Sequence, residues 1–255
     1  MNEFFNAGTL LDLEDEKPAV IAIIGCGGKT TFIESLAYEC RHKKVLVTPT
    51  TKILPMYRDD IVLCTSFEEC LSHKAVNGIQ CLGVMNETTG KLEALREEML
   101  EKIIPQYDLV LLEADGSCGL SCKGWLPNEP VIPWFSTHTI GIVTFYALGK
   151  PADSDIVLRL KEFLKLTGLE QGEPITQKAL ADMVCGTNGM FHNGAGRQSI
   201  FVNQVEDDAI AALAEKWLKG IEESFPGRFA CLAYGSARKN KWAALQKVLP
   251  CRQRA

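Results

Sequence analysis

The chain has 255 residues, 46% of them hydrophobic and 23% charged, with a net charge of −5. This is the composition of a globular chain with enough apolar material for one large or two modest domains. An acidic balance without any block of like charges excludes the electrostatic footprint of a nucleic-acid or anionic-lipid binder.

Residues 1–17 read as a short amphipathic helix carrying Phe4, Phe5, Leu10, Leu11 and Leu13, followed by acids, and they lack the features of a secretory signal. A first strand is predicted over 20–24. The longest apolar run, 19–24, is far too short to span a bilayer, so a soluble cytoplasmic protein is expected, with no membrane partner.

Directly after that strand stands Gly25-Cys26-Gly27-Gly28-Lys29-Thr30-Thr31, and a helix is predicted over 30–41 with Phe32, Ile33, Leu36, Ala37 and Cys40 on one stripe. An apolar strand, a glycine turn and a Lys-Thr-Thr helix start bring backbone N–H groups and the helix dipole to bear on an anion. In such a cradle Gly25, Gly27 and Gly28 let the backbone approach phosphate, Lys29 reaches the terminal phosphates, and the Thr30 hydroxyl sits on Mg2+. The long form of the motif, G-x-x-x-x-G-K-[ST], needs a glycine where Ile23 stands. The shorter G-x-x-G-K-T-T is similar to the ATP loop of Mur ligases and their relatives. The bland alternative is a turn that happens to hold a lysine.

A strand over 45–48 runs into Thr48, Thr50, Thr51 and Lys52, with Pro49 among them. Hydroxyls and an amine at the carboxyl edge of a sheet suit Mg2+ or a γ-phosphate, where ligands of open α/β sheets collect; they also suit a plain turn. Strands over 61–64 and 79–84 and helices over 67–73 and 92–104 follow. A strand over 109–113 then delivers Glu113 and Asp115, two residues apart and on one face if the strand continues. One carboxylate can take Mg2+ while the other orients water or a nucleophile. A solvated acidic turn is the alternative.

Cys118 and Cys122 come next, then Lys123. A thiol pair beside a nucleotide site has the chemistry to pass sulfur or selenium as thiolate, though two loop cysteines in a chain with ten is the plainer reading. Most of the ten read as reduced core thiols. Trp125 and Trp134 flank the 127–133 stretch and read as packing.

Further strands are predicted over 139–144, 200–203 and 229–233, with helices over 155–167, from Thr176, and over 208–225. The glycine-rich 186–196 segment, which contains His192, reads as a long loop or a lid. His42, His73, His138 and His192 show no zinc spacing. The strands are apolar on both faces, so they belong in a sheet covered on both sides. The fold class expected is α/β, three-layer, a mostly parallel sheet with flanking helices, P-loop NTPase-like. It would form a single domain over 1–255 with a possible small subdomain or lid around 171–198.

Taken in order, Gly25–Thr31, Thr48–Lys52, Glu113–Ser117, Lys123, Glu129-Pro130-Val131-Ile132-Pro133, Ala147–Pro151, Arg159 and Tyr234–Arg238 resemble the selenium-dependent hydroxylase accessory protein family of the YqeC type. The resemblance covers almost the whole chain. It implies a role in maturing selenium-dependent molybdenum hydroxylases, with such an enzyme or its cofactor as partner and Mg2+ with ATP or GTP as cofactor. It carries the nucleotide site onto residues 25–31, including Cys26 and Thr31, with Thr50, Thr51, Lys123, Arg159 and Asn203.

Asn203-Gln204-Val205-Glu206 stands where the family has an NKxD-like segment, and Gln204 and Glu206 leave ATP and GTP equally open. If the protein is an enzyme, Lys29, Glu113 and Asp115 are its catalytic residues, Thr30, Glu113 and Asp115 its metal ligands, and nucleotide hydrolysis or phosphoryl transfer its reaction. Lys123 and Arg159 would clamp an anionic second substrate such as a pterin phosphate or selenium oxyanion. A non-catalytic nucleotide-gated chaperone or carrier is the second reading. A small-molecule kinase or ligase of Mur or dethiobiotin synthetase type is the third.

Overall fold

The computed structural model of the protein describes residues 18–245; the helix expected over 1–17 lies outside them. Its centre is strand β1 (Ala19–Gly25), an uninterrupted apolar run that is buried along its whole length. Side chains on a strand alternate between its two faces. Ala19, Ile21 and Ile23 therefore pack with Phe32, Ile33 and Leu36 of helix α1 (Lys29–Glu39). On the opposite face Val20 joins Met99 and Leu100 of α3 (Glu97–Ile103), while Ala22 and Ile24 join Phe163 of α4 (Leu160–Thr167), Leu180 of α5 (Gln177–Cys185) and Leu218 of α6 (Asp208–Ser224). The strand is covered twice, and three layers result.

The sheet has nine strands. From one edge they run β14 (Lys241–Ala244), β13 (Cys231–Ser236), β12 (Arg197–Asn203), β10 (His138–Thr144), β1, β8 (Leu109–Glu113), β2 (Lys44–Pro49), β5 (Gly78–Leu82) and β4 (Ile61–Cys64). Every pairing is parallel except that of β13 with β14. The mostly parallel α/β sheet expected from the two-faced apolar runs is therefore present. The carboxyl ends of β1, β8, β2, β10, β12 and β13 share one edge, which is where ligands gather in such sheets.

Local chemistry sets several boundaries. Asp207 starts α6 by accepting a hydrogen bond from the Ile210 N–H at 2.8 Å, and Thr176 does the same for α5 from Ala179 at 3.1 Å. The strand expected over 79–84 instead divides at Gly83. There β6 (Val84–Asn86) turns away to pair with β7 (Lys91–Glu93), which pairs in turn with β3 (Lys52–Ile53). A Cβ on Gly83 would stand 2.8 Å from the Leu92 Cβ, so the division needs a glycine. Residues 92–93, read as the start of a helix, are thus strand, and α3 begins only at Glu97.

The helix expected from Asp155 likewise begins at Leu160, because β11 (Val157–Leu158) pairs with β9 (Cys122–Lys123). A short helix α2 (Phe67–Ser72) carries a capping box made by Ser66 and Glu69. The glycine-rich part of the 171–198 region is anchored on the sheet: Met190 and Phe191 are buried against Gly141 of β10, where a Cβ would lie 2.5 Å from the Met190 sulfur. Among the described residues no helix is long and apolar enough to cross a membrane.

Candidate functional site

The chain leaves β1 through three glycines in the left-handed region, Gly25 at φ 93°, Gly27 at φ 98° and Gly28 at φ 102°. Two reasons exclude side chains here. Other residues reach these angles at a cost of about 1–2 kcal/mol, and the space is filled. A Cβ would lie 2.3 Å from the Ile142 carbonyl oxygen at Gly25, 2.5 Å from the Thr144 Cβ at Gly27 and 2.8 Å from the Asn203 Nδ2 at Gly28. Gly28 is the N-cap of α1, so no side chain caps the helix, and no acid stands in its first turn. The first amides of α1 are left for solvent or an anion.

Beside this loop lies a row of alternating charges. The Lys29 Nζ donates to the Gly25 carbonyl at 2.7 Å and to the Ser117 hydroxyl at 3.3 Å, and it stands 3.2 Å from the Asp115 Oδ1. Both Asp115 oxygens accept from the Gly25 N–H at 3.2 Å, and Oδ2 also accepts from the Trp125 indole N–H at 3.0 Å. The Lys123 Nζ lies 3.6 Å from Asp115 Oδ2 and 3.4 Å from Glu129 Oε2, and donates to the Gly116 carbonyl at 2.8 Å. Glu129 in turn takes the Arg159 guanidinium on both oxygens, Nη2 reaching Oε1 at 2.7 Å. The row Lys29, Asp115, Lys123, Glu129, Arg159 begins in the interior: the first three side chains are 4%, 1% and 0% exposed.

Burial works against the Lys29 ammonium, but the attraction of Asp115 and then Glu113 outweighs it and the pKa lies above its ordinary value. Burial pushes the Cys26 thiol up to about 12, even beside Lys29. It is no thiolate at neutral pH. Asp115 is not a solvated turn residue, and a cation reaching it would have to displace Lys29 or Lys123.

Glu113, at the end of β8, faces the same side as α1 and accepts from the Thr30 hydroxyl at 3.1 Å. Burial raises its pKa above the 4.5 of a free glutamate, with Lys29 and Thr30 opposing that shift only in part. Below the unfolded value both states are protonated and Glu113 costs nothing. As pH rises through the folded pKa, ionisation favours the unfolded chain and stability is lost. Glu113→Gln is therefore expected to raise the Tm at pH 7–8, with the gap to wild type closing below pH 4.5 in a thermal melt series. Equal melting temperatures at pH 8 would mean that Glu113 is not buried as a charge.

The threonine cluster lies at the carboxyl end of β2, where Pro49 is the register partner of Glu113. The Thr48 and Thr51 hydroxyls are buried and have no partner among the described residues, whereas Thr50 donates to the Val131 carbonyl at 2.6 Å. Thr48 belongs to β2 and shares the Leu46 face, away from α1, whereas Thr51 follows in the turn, where an unpartnered hydroxyl is what a ligand-free polar site leaves behind. Asn203, at the end of β12, donates to the Gly27 carbonyl at 2.8 Å and accepts from the Ala237 N–H at 3.0 Å. It ties the loop to the turn after β13. Gln204 accepts from Thr144 at 2.5 Å and Glu206 pairs with Lys239 at 2.7 Å, so both polar ends of that segment are held by protein.

The structure thus brings Gly25, Cys26, Gly27, Gly28, Lys29, Thr30, Glu113, Asp115, Lys123 and Asn203 together at one sheet edge, with Thr50 and Thr51 one strand away. Arg159 joins them only through Glu129. Three contributors escape sequence reasoning. Trp125 does more than pack, because its N–H holds Asp115. Glu129 carries the charge that pairs Lys123 with Arg159, and Ser117 receives Lys29; a lone acid between prolines was the available signal for Glu129. Trp134, read as packing, is 75% exposed. Cys122 is buried and its thiol is pushed far up by burial, while Cys118 is exposed. Of the two thiols only Cys118 is open to solvent. The nine cysteines among the described residues are free.

A protein-family profile described as YqeC protein matches residues 21–161 of the chain. Over 192 residues the chain is also 29% identical to the "Uncharacterized protein YqeC" of Escherichia coli (strain K12), covering 72% of this chain and 75% of that protein. The profile span holds the glycine loop and the whole row from Lys29 to Arg159. Asn203 and Ala237 lie beyond it.

Proposed function

The chain belongs to the YqeC family, and on that premise we propose that it binds a nucleoside triphosphate with Mg2+ on the 25–31 loop. The observation that carries this reading is the loop itself: three left-handed glycines between a central parallel strand and an uncapped helix that opens with Lys29 and Thr30. To reach phosphate, Lys29 has to leave the Gly25 carbonyl, and the first amides of α1 supply the rest of the cradle. Among the described residues no group of three or more His, Cys, Asp or Glu is placed to hold a metal. Mg2+ would therefore be held jointly by phosphate oxygens, the Thr30 hydroxyl and Glu113, with Thr51 as a further donor. Glu113 would then orient water or an acceptor while Lys29 neutralises developing charge. ATP and GTP fit this reading equally.

The role proposed for this site is accessory: nucleotide hydrolysis or phosphoryl transfer in the maturation of selenium-dependent molybdenum hydroxylases. A gated carrier without fast turnover is supported by one separate observation. Lys29 leaving Asp115 would unbalance a buried row that runs through Lys123 and Glu129 to Arg159, giving nucleotide a route to distant residues. Calorimetric titration with ATP and GTP, with and without Mg2+, tests the site. Wild type is expected to bind at least one nucleotide only weakly without Mg2+, and Lys29→Ala to weaken binding by about a hundredfold, the worth of strong charge-assisted contacts. No binding of either nucleotide would end the reading. Phosphate release stimulated by a molybdenum hydroxylase apoenzyme separates turnover from gating.

A further inference from the structure

A second concavity lies outside the loop. It is a cavity of about 690 Å³ between the Trp125–Leu126–Pro127 turn, Lys161 and Lys165 on α4, and His192 in the glycine-rich segment. That volume is in the range of small-molecule sites, which pair apolar walls with a few placed polar groups. The walls here are Trp125, Leu126 and Pro127. The polar groups are of two kinds. Lys161 and Lys165 have no ion-pair partner among the described residues and outnumber the single acid at the rim, Glu162. His192 points its Nδ1 at the Gly189 carbonyl at 2.9 Å, so that nitrogen donates, which leaves Nε2 of the neutral ring as an acceptor. That Nε2 is buried and has no donor among the described residues.

We propose that this cavity is a binding site for a small anion with an aromatic body. Its carboxylate or phosphate would meet Lys161 and Lys165, its ring would lie along Trp125 and Pro127, and an N–H or O–H of the ligand would satisfy His192. The site adjoins the glycine loop through one shared residue. The Trp125 ring lines the cavity while its N–H holds Asp115, the partner of Lys29. The charge row ends on the helix that lines the cavity, since Arg159 is the N-cap of α4. Occupancy of the cavity and of the loop are therefore coupled, and this coupling, unlike the cavity site itself, rests on the nucleotide reading above.

Flavin mononucleotide serves as the probe, riboflavin as the same ring system without the phosphate, and inorganic phosphate as the anion without a ring. The expected result on the full chain without nucleotide is saturable quenching of flavin mononucleotide fluorescence, about tenfold tighter than riboflavin, one strong charged contact being worth that much, and competed poorly by phosphate. K161E/K165E should erase the difference between the two flavins. N188W, an exposed residue at the rim, should block both, and neither variant disturbs a buried position. Absence of saturable binding, equal affinity for the two flavins, or binding unchanged in both variants would overturn the proposal.

Mg-nucleotide should alter the flavin affinity of wild type but not of W125F, which keeps a ring and loses the N–H. If nucleotide does not bind at all, the loop reading and the coupling fall while the cavity result stands by itself.

Discussion

Asp115→Ala is expected to lower the unfolding free energy by about 3–5 kcal/mol, the usual cost of removing one partner from a buried ionic group. The side chain is 1% exposed and stands between Lys29 at 3.2 Å and Lys123 at 3.6 Å. Its loss leaves two buried ammonium groups facing each other with one carboxylate fewer. It also strips the Gly25 N–H and the Trp125 N–H of their acceptor. Urea unfolding should show a lower midpoint with an unchanged slope, which is the mark of lost stability rather than an altered unfolded state. Asp115→Asn, which keeps an oxygen for the two N–H donors, should lose less. A midpoint for Asp115→Ala equal to that of wild type would mean that the row is not assembled in solution. Because Asp115 holds the loop that Lys29 opens, nucleotide affinity should fall with stability in both variants.

Gly27→Ala should lower stability by about 2–5 kcal/mol and abolish the proposed nucleotide binding. About 1–2 kcal/mol comes from holding alanine at a left-handed angle, and overpacking typically costs about 1–3 kcal/mol more. The clash is specific: the new Cβ would sit 2.5 Å from the Thr144 Cβ, a branched side chain fixed by its hydrogen bond to Gln204. The neighbouring strand β10 cannot yield without disturbing the sheet, so the loop must move instead, carrying the α1 amides out of register with any anion. Gly149→Ala is the control. Gly149 also has a positive φ, 75°, but nothing lies within 4 Å of an added Cβ, so it should show the backbone cost alone. If both variants melt together, the crowding at Gly27 does not matter.

The two substitutions probe different properties of one edge. Gly27 tests whether the backbone shape of the loop is obligatory, and Asp115 tests whether the charges beneath it hold that shape. A phosphate loop needs both, since a cradle of amides is useful only if its lysine is kept protonated and within reach. Asp115 and Glu113 keep Lys29 charged against its own burial.

Much of this edge was legible in the order of residues. Runs apolar on both faces imply strands buried on both sides, and eight of the nine strands of the mostly parallel sheet follow from them. The glycine spacing and the Lys-Thr-Thr that opens α1 marked the loop, and Glu113 two residues before Asp115 marked the neighbouring strand end. These signals are local: a strand period, a helix period or a turn is set by residues within a few positions of one another. The misread segments were those where a distant partner overrode local pattern. Residues 92–93 have an acceptable helix pattern but are drawn into strand by β3 and β6, and β14 reads as nothing in particular until β13 supplies its ladder.

The sequence by itself determined that a glycine loop with a lysine leaves a buried parallel strand and that two acids end another. Only the tertiary structure decided what those groups do to one another. Glu113 and Asp115, which look equivalent two positions apart, diverge: one takes the Thr30 hydroxyl, the other two ammonium groups, an amide and an indole N–H. Glu129 meets Arg159 from 30 positions away, and Asn203 meets Gly27 from 176. The physical reason is that hydrophobic periodicity is read by the chain one turn or one strand at a time. The partner of a buried charge, by contrast, is chosen by how the chain returns, and no charge can stay in the interior until that return is complete.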